Sequence, residues 1–153
     1  MQPVIINERI ADNFWLSAID DQDLPAEGQI ATLGQWQIDP SLPAVMLQSG
    51  DDPSLLFDYL DPLQLIVVHF PDFNDGRGFS SGRALREAGY RGELRASGQF
   101  LIDQLQFLKR CGFNAFDLPE GTCLEAAIAS IKHFTIHYQA AQDRSEPLFA
   151  LTR

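Results

Sequence analysis

Cysteine is scarce in this sequence, with two residues in 153, Cys111 and Cys123, and no CxxC pair. So few thiols exclude a disulfide framework, and their spacing is not that of a zinc or iron–sulfur site. Sparse, unpaired thiols are typical of proteins in a reducing compartment. We therefore expect a cytoplasmic protein.

Long apolar runs and cofactor motifs are also missing. No segment approaches the ~20 apolar residues that a membrane-spanning helix needs, and the first residues lack a signal-peptide profile. No G-x-G-x-x-G follows a strand-like run, and there is no Walker loop, so no motif indicates a nicotinamide, flavin or nucleotide. We expect no membrane contact and no metal, and no cofactor is evident.

Basic residues are nearly absent from the first half of the chain. Residues 1–75 hold one base, Arg9, and thirteen acids, and the whole chain carries a net charge of −10. Such a charge disfavours nucleic acid and suits a basic partner protein. Residues 76–110 hold seven bases and three acids, so an anion would find a favourable potential there. The alternative is that surface helices simply carry arginine.

Strand-like and helix-like patterns alternate from Pro43 onward. Apolar runs at 44–48, 63–70, 93–97, 113–118 and 135–139 are typical of strands. The run LQLIVVHF at 63–70 is almost continuously apolar, which predicts burial on both faces of a parallel sheet. We predict an α/β fold with a mostly parallel sheet of about five strands and βα repeats. A three-layer open sheet is the first choice, and half of a β/α barrel is the alternative.

The chain length suits one domain with a full hydrophobic core. Residues 1–42 are predicted as a β-rich N-terminal extension with strands at 14–19 and 29–38. Residues 43–140 are predicted as the parallel α/β domain, and residues 141–153 as a flexible tail.

Capping residues predict where the helices begin and end. Asp52 followed by Pro53 predicts one helix start, and Ser80 or Ser81 predicts the next. Gly89 and Gly112 are natural residues after a helix end. Thr122-Cys-Leu-Glu125 has the form of a capping box.

The loop expected after the 63–70 strand, at 71–79, carries the predicted site. It is longer than most βα connections, and ligands of parallel sheets bind beyond the carboxyl ends of the strands. Flexible glycines, arginine forks and serines at a helix N-terminus suit an oxyanion such as sulfite, phosphate or a carboxylate. The predicted anion-binding residues are Gly76, Arg77, Gly78, Ser80, Ser81 and Arg95.

The same loop also offers candidates for catalysis. Asp75 or Asp103 would serve as the acid–base group of a stand-alone enzyme, with Arg77 or Arg95 stabilising an oxyanion. The alternative is a structural loop in which Asp75 caps the helix or pairs with an arginine. A third hypothesis is a non-catalytic scaffold.

Residues 70–118 also carry a set of joined patterns, DGRG-F-S, LRE-GY-GELRA-G, DQL-F and RCGF-AF. This segment resembles a bacterial family of small proteins of unknown function that are described as oxidoreductases of sulfite reduction and are encoded beside assimilatory sulfite reductase. Gly82 departs from the family pattern, which more often has Ala. The motif residues are Asp75, Gly76, Arg77, Gly78, Ser80, Arg83, Arg86, Gly92, Glu93, Arg95, Asp103, Gln104, Arg110 and Cys111.

The resemblance implies an accessory role in sulfite assimilation, with sulfite reductase or another protein of that pathway as partner. Any redox cofactor would then belong to the partner. No catalytic assignment comes with the resemblance, so its implication is a pathway rather than a mechanism.

Three further patterns are interpreted as structural. Gly78-Phe-Ser80-Ser-Gly82 fits the G-x-S-x-G elbow, but the serine is too far from the preceding strand. His69, His133 and His137 are interpreted as structural or exposed. Cys111 follows two bases, which favours a thiolate, but it ends a helix, which disfavours one. We expect it to be a buried packing residue.

Overall fold

A computed structural model describes residues 3–17, 25–72 and 74–132. The strand predicted at 135–139, His133, His137 and the predicted tail lie outside these residues. Within the described ranges, eight strands form the sheet, in the order β2-β1-β8-β7-β6-β5-β4-β3. They are β1 (Val4–Ile6), β2 (Arg9–Ala11), β3 (Leu16–Ser17), β4 (Gln29–Thr32), β5 (Ala44–Leu47), β6 (Leu65–Phe70), β7 (Glu93–Gly98) and β8 (Ala115–Asp117).

Helices connect most of the parallel strands. The α-helices are α1 (Leu33–Ile38), α2 (Arg77–Glu87), α3 (Leu105–Arg110) and α4 (Leu124–Lys132), and 3-10 helices lie at Pro53–Tyr59 and Ile102–Gln104. None of the helices in the described ranges has the length and hydropathy that crossing a bilayer requires.

The predicted mostly parallel α/β fold is confirmed, with more strands than the five expected. Strands β3 to β8 pair in parallel and in sequential order. The β1–β2 hairpin is antiparallel and joins the sheet beside β8. Residues 1–42 therefore supply strands to both edges of the same sheet.

The helices pack against one face of this sheet. Ile66, Val68 and Phe70 of β6 belong to the main core, together with residues of all four α-helices. Leu65 and Val67 face the other way, into a smaller cluster with Ile30, Ala44, Trp15 and Met46. The burial of β6 on both faces is thus confirmed. In the described residues the layering is helix on sheet, and the strand order is that of half a β/α barrel rather than of the three-layer sheet preferred from the sequence.

Several predicted helix boundaries shift. Asp52 caps the 53–59 helix through the Ser54 N–H, as expected, although the helix is 3-10. Ser80 and Ser81 cap nothing, because α2 begins at Arg77 and encloses them. The predicted capping box at Thr122 is wrong, since α4 begins at Leu124 and the Thr122 hydroxyl donates to the Pro119 carbonyl.

The N-terminal prediction is wrong for residues 33–38, which form α1 instead of a strand. Thr32 accepts a hydrogen bond from the Gln35 N–H, and the Gln35 side chain accepts one from the Thr32 N–H. This capping box starts a helix inside a segment whose alternating apolar residues favour a strand. The β1–β2 hairpin was not predicted, because its turn residues Asn7 and Glu8 adopt positive φ without a glycine.

Candidate functional site

The loop predicted to bind an anion is shorter than expected, and its charged residues bond to each other. It spans residues 71–76, between β6 and α2. Asp75 accepts hydrogen bonds from the backbone and the guanidinium of Arg77, with Arg77 Nη2 at 2.9 Å from Asp75 Oδ2. The Ser49 hydroxyl donates to the same carboxylate. These bonds hold the pKa of Asp75 below its ordinary value. The geometry matches the structural alternative, in which Asp75 pairs with an arginine.

Two glycines of α2 serve packing. A Cβ at Gly78 would overlap the ring of Phe70, and one at Gly82 would overlap the ring of Phe113. The missing side chains let α2 approach the aromatic core closely. Gly76 differs, because a Cβ there would meet no atom within 4 Å.

The remaining residues of the predicted loop site lie on helices rather than in the loop. Ser80 is exposed on α2, and the Ser81 hydroxyl donates to the Arg77 carbonyl at 3.3 Å. Asp103 is exposed in the 102–104 helix. Ser80 inside a helix also excludes the nucleophile elbow, which needs a strand-to-helix turn.

Arg95 lies elsewhere, on the sheet face opposite the helices. It is the third residue of β7 rather than its end, and its side chain is 2% exposed. Its Nε and Nη2 donate to Glu93 Oε1 at 3.1 and 2.8 Å, and Nη1 donates to Asn13 Oδ1 at 2.9 Å. Arg77 does not line the pocket that contains Arg95. The predicted pairing of these two arginines in one anion site is therefore not formed.

Three polar residues form a row across β6, β7 and β8. His69 is in register with Ser97, and Ser97 with Asp117. The side chains alternate with those of the main core, so all three point to the face that Arg95 shares. The His69 Nδ1 and Ser97 Oγ atoms are 3.2 Å apart. The row lies at the carboxyl end of the parallel strands, where β/α folds place their ligands.

The end of β7 allows this arrangement because it is a glycine. Gly98 has a φ of +100°, and a Cβ there would overlap the Phe70 carbonyl and lie 2.9 Å from His69 Cε1. A larger residue would therefore displace the imidazole or the strand end.

Asn13 closes the site from the N-terminal side. Its Oδ1 accepts from the Trp15 N–H at 3.1 Å as well as from Arg95. With Arg95 it borders a pocket of about 300 Å³ over β4 to β8. The pocket has an apolar wall on the β4–β6 side and a polar wall on the β7–β8 side. Its lining residues are Asn13, Trp15, Ile30, Met46, Gln48, Val67, His69, Arg95, Ser97, Gly98 and Asp117.

The electrostatics of this pocket centre on Asp117. Burial raises the pKa of Asp117, and the charges of Arg95 and His69 oppose that rise. A carboxyl group with a raised pKa holds its proton more readily than a surface aspartate does. Perturbed carboxyl groups in concave sites are common at functional sites.

The row is not a catalytic triad. In the triad the histidine lies between the serine and the carboxylate, which orients the imidazole. Here Ser97 lies between His69 and Asp117, so Asp117 is not placed to orient the ring. The arrangement instead presents several donors and one protonatable carboxyl group to a small polar ligand.

Most of the other motif residues have structural roles. Cys111 is 2% exposed and ends α3, as expected of a packing residue. Gln104 accepts from the Leu101 N–H at 2.8 Å, and Arg83 is exposed on α2. Arg86 donates to three carbonyl oxygens, of Tyr90, Gly92 and Gly112. Arg110 is half-buried, and its Nε has no hydrogen-bond partner in the described part of the chain.

The sequence patterns did not identify Ser97, Asp117 and Asn13 as site residues, and they favoured a structural or exposed role for His69. The signal was a polar residue at alternate positions near the ends of three consecutive strands, in VHF, RAS and AFD. A two-residue period places such residues on one face. The contribution of Asn13, which lies 82 positions from Arg95, has no local signal.

The chain is similar to one protein family, and the matched residues include most of this site. A family model described as a bacterial protein of unknown function, DUF934, matches residues 44–149, which include β5 to β8 and so His69, Arg95, Ser97 and Asp117. No curated protein and no solved structure shows significant similarity to the chain. Because the model covers more than half of the 153 residues, the chain belongs to the DUF934 family of bacterial proteins of unknown function.

Proposed function

We propose that this protein is an accessory protein of assimilatory sulfite reduction, and that it binds a small oxyanion in the pocket over β6 to β8. The resemblance of residues 70–118 to proteins encoded beside sulfite reductase supports the pathway. The observation that supports the ligand is the row of His69, Ser97 and Asp117 beside the buried Arg95.

Arg95 gives this pocket a fixed cation. Glu93 and Asn13 hold its guanidinium through three hydrogen bonds, so the group is positioned before a ligand arrives. Among the described residues these bonds use three of its five N–H donors, and two are left for an oxyanion. A positioned donor loses little conformational freedom on binding, which favours affinity.

The other donors surround the same space. The hydrogen bond between His69 Nδ1 and Ser97 Oγ uses one proton of the pair, so the pair offers one N–H or O–H donor to a ligand, and a protonated Asp117 carboxyl adds another. Because Glu93 balances the charge of Arg95, protonation of Asp117 decides how well an anion is tolerated. Because the pKa of Asp117 is raised, its carboxyl group stays protonated at a higher pH than an ordinary aspartate does. We therefore expect oxyanion binding to strengthen as the pH falls.

Calorimetric titration of the full chain with sulfite and with sulfate tests this proposal. Sulfate keeps its charge near neutral pH, so its pH dependence reports the protein alone. We expect Ser97→Ala and His69→Leu each to weaken binding about tenfold, the effect of losing one hydrogen bond to a charged group. Arg77→Gln is the control, since Arg77 lies outside the pocket. Equal losses in Arg77→Gln and in the pocket variants would place the ligand elsewhere.

The accessory role has its own test. The acidic first half of the chain suits a basic surface on the partner, so association with sulfite reductase should be stronger at low salt than at high salt. Pull-down at two salt concentrations measures this. Failure to recover a complex at low salt would count against the role, while leaving the oxyanion site open to the calorimetric test.

A stand-alone acid–base enzyme is the second candidate, and the raised pKa of Asp117 is the observation that favours it. Asp117 would then exchange a proton with a ligand that Arg95 and Ser97 hold. Loss of turnover with unchanged ligand affinity in Asp117→Asn would favour the enzyme, whereas loss of affinity alone would favour binding.

A further inference from the structure

A second cavity, of about 520 Å³, lies at the other end of the sheet and on its helix-covered side. Tyr90 and Arg91 precede β7, and Asn114 precedes β8, so the cavity opens at the amino ends of these strands. The β7 strand alone separates the two ends by about 17 Å. The cavity is therefore a separate site from the pocket over β6 to β8.

Hydrogen-bond donors dominate the polar lining of this cavity. Arg86, Arg91 and Lys109 border it, and Glu8 is the one acid among its lining residues. This makes the cavity locally basic in a chain whose net charge is −10. An excess of donors and cations over acceptors suits an anion.

The central cation, Arg86, has no carboxylate partner in the described part of the chain. Its Nε donates to Gly112 O at 2.7 Å, and its Nη1 donates to Tyr90 O and Gly92 O at 2.9 Å each. Its Nη2 group makes no hydrogen bond among the described residues. Burial lowers the pKa of Arg86, as expected for a cation that has lost water without gaining an anion.

Asn114 adds a neutral donor of known orientation. Its Oδ1 accepts from the Leu94 N–H at 2.8 Å, so its amide nitrogen faces away from that bond. Lys109 binds Glu8 with its Nζ at 2.5 Å from Oε1, and both side chains are about a third exposed. Glu8 therefore neutralises part of the positive charge that Lys109 would otherwise present to a ligand.

One side of the lining is apolar. Phe113 and Phe116 belong to the main core, and Ile131 of α4 completes this side. The volume lies within the usual range for small-molecule sites, which combine an apolar wall with a few convergent polar groups. From the donor-rich rim and the aromatic wall together, we infer that this cavity binds a small organic anion, a phosphate ester with an apolar group.

The probe is phenyl phosphate, added to the full chain and followed by amide and side-chain chemical shifts. Phenol has the same ring without the charge, and inorganic phosphate has the charge without the ring. We expect phenyl phosphate to bind most tightly, inorganic phosphate less tightly, and phenol weakest of the three. Shifts should appear at Arg86, Arg91 and the Asn114 side-chain amide, and not at Ser97.

Two variants, one that removes a positive charge and one that removes a negative charge, should change the affinity for phenyl phosphate in opposite directions. Lys109→Gln should weaken phenyl phosphate binding about tenfold, because one charge-assisted hydrogen bond is lost. Glu8→Gln should strengthen it, because Lys109 is released and a repelling charge is removed. An ion pair this exposed contributes little to folding, so both variants should fold.

Arg83→Gln is the matched control, since Arg83 is an exposed base outside the cavity lining. The inference is overturned if phenyl phosphate gives no saturable shifts, if phenol binds as tightly, or if both variants behave like Arg83→Gln. Shifts confined to residues 69, 97 and 117 would also overturn it, because they would assign the anion to the other pocket.

Discussion

Single glycines in α2 decide how closely this helix approaches the sheet. Gly78 lies against Phe70 and Gly82 against Phe113, with no room for a Cβ at either position. In the sequence, Gly78 belongs to a glycine–arginine loop and was predicted to turn its backbone toward an anion. Its real neighbour is eight positions away on another element, and a local pattern does not reveal such a contact.

Gly78→Ala is expected to destabilise the protein by roughly 1–3 kcal/mol, the usual cost of forcing a methyl group into a packed core. The methyl group would overlap the ring of Phe70, which is buried. Gly76→Ala is the control and should change the unfolding free energy by less than about 0.5 kcal/mol. Urea denaturation measures both. Equal effects of the two substitutions would contradict the packing role.

Asp117→Asn is expected to stabilise the protein at neutral pH. Burial raises the pKa of Asp117 in the folded state above its ordinary value of 3.8, so the folded chain binds this proton more tightly than the unfolded chain does. Wild-type stability from this group is therefore present at acid pH and is lost as the pH rises through the folded pKa. The variant has no such loss.

Unfolding free energies of wild type and Asp117→Asn, measured across pH, check this sign. The difference should favour the variant at neutral pH and shrink toward pH 3.8. A wild type that is the more stable protein at neutral pH would show that Arg95 and His69 outweigh the burial of the carboxyl group.

At the scale of elements, strands and helix ends were predicted correctly where the sequence has strong periodicity or a clear capping residue. The β6 strand, the start at Asp52-Pro53 and the turns at Gly89 and Gly112 follow from residues within a few positions of each other. The α1 helix was missed because six residues give too short a window for a helical period. Its start depends on the reciprocal bonds of Thr32 and Gln35, which oppose the strand-like composition.

Thr32→Ala should therefore cost about 0.5–2 kcal/mol of stability, the usual effect of removing a helix N-cap. Thr32→Ser keeps the hydroxyl group and should recover most of this loss. Thermal unfolding of both variants provides the measurement. If serine and alanine were equally destabilising, the loss would come from the threonine methyl group rather than from the cap.

At the scale of the whole molecule, strand order and layering divide the basic segment among different surfaces. Residues 76–110 look like one positive stretch in the sequence. The fold places Arg77 at the rim with Asp75, Arg95 on one sheet face with Glu93, and Arg86, Arg91 and Lys109 at the opposite end of the strands. A single sequence does not give strand order or the face that each strand presents, so the segment could not be divided in advance.

The amide chemical-shift map of the full chain during a sulfite titration tests the central claim most directly. We expect the largest changes at residues 69, 97 and 117, with small changes at 76–81. Changes concentrated at 76–81, or none at saturating sulfite, would contradict a site over β6 to β8.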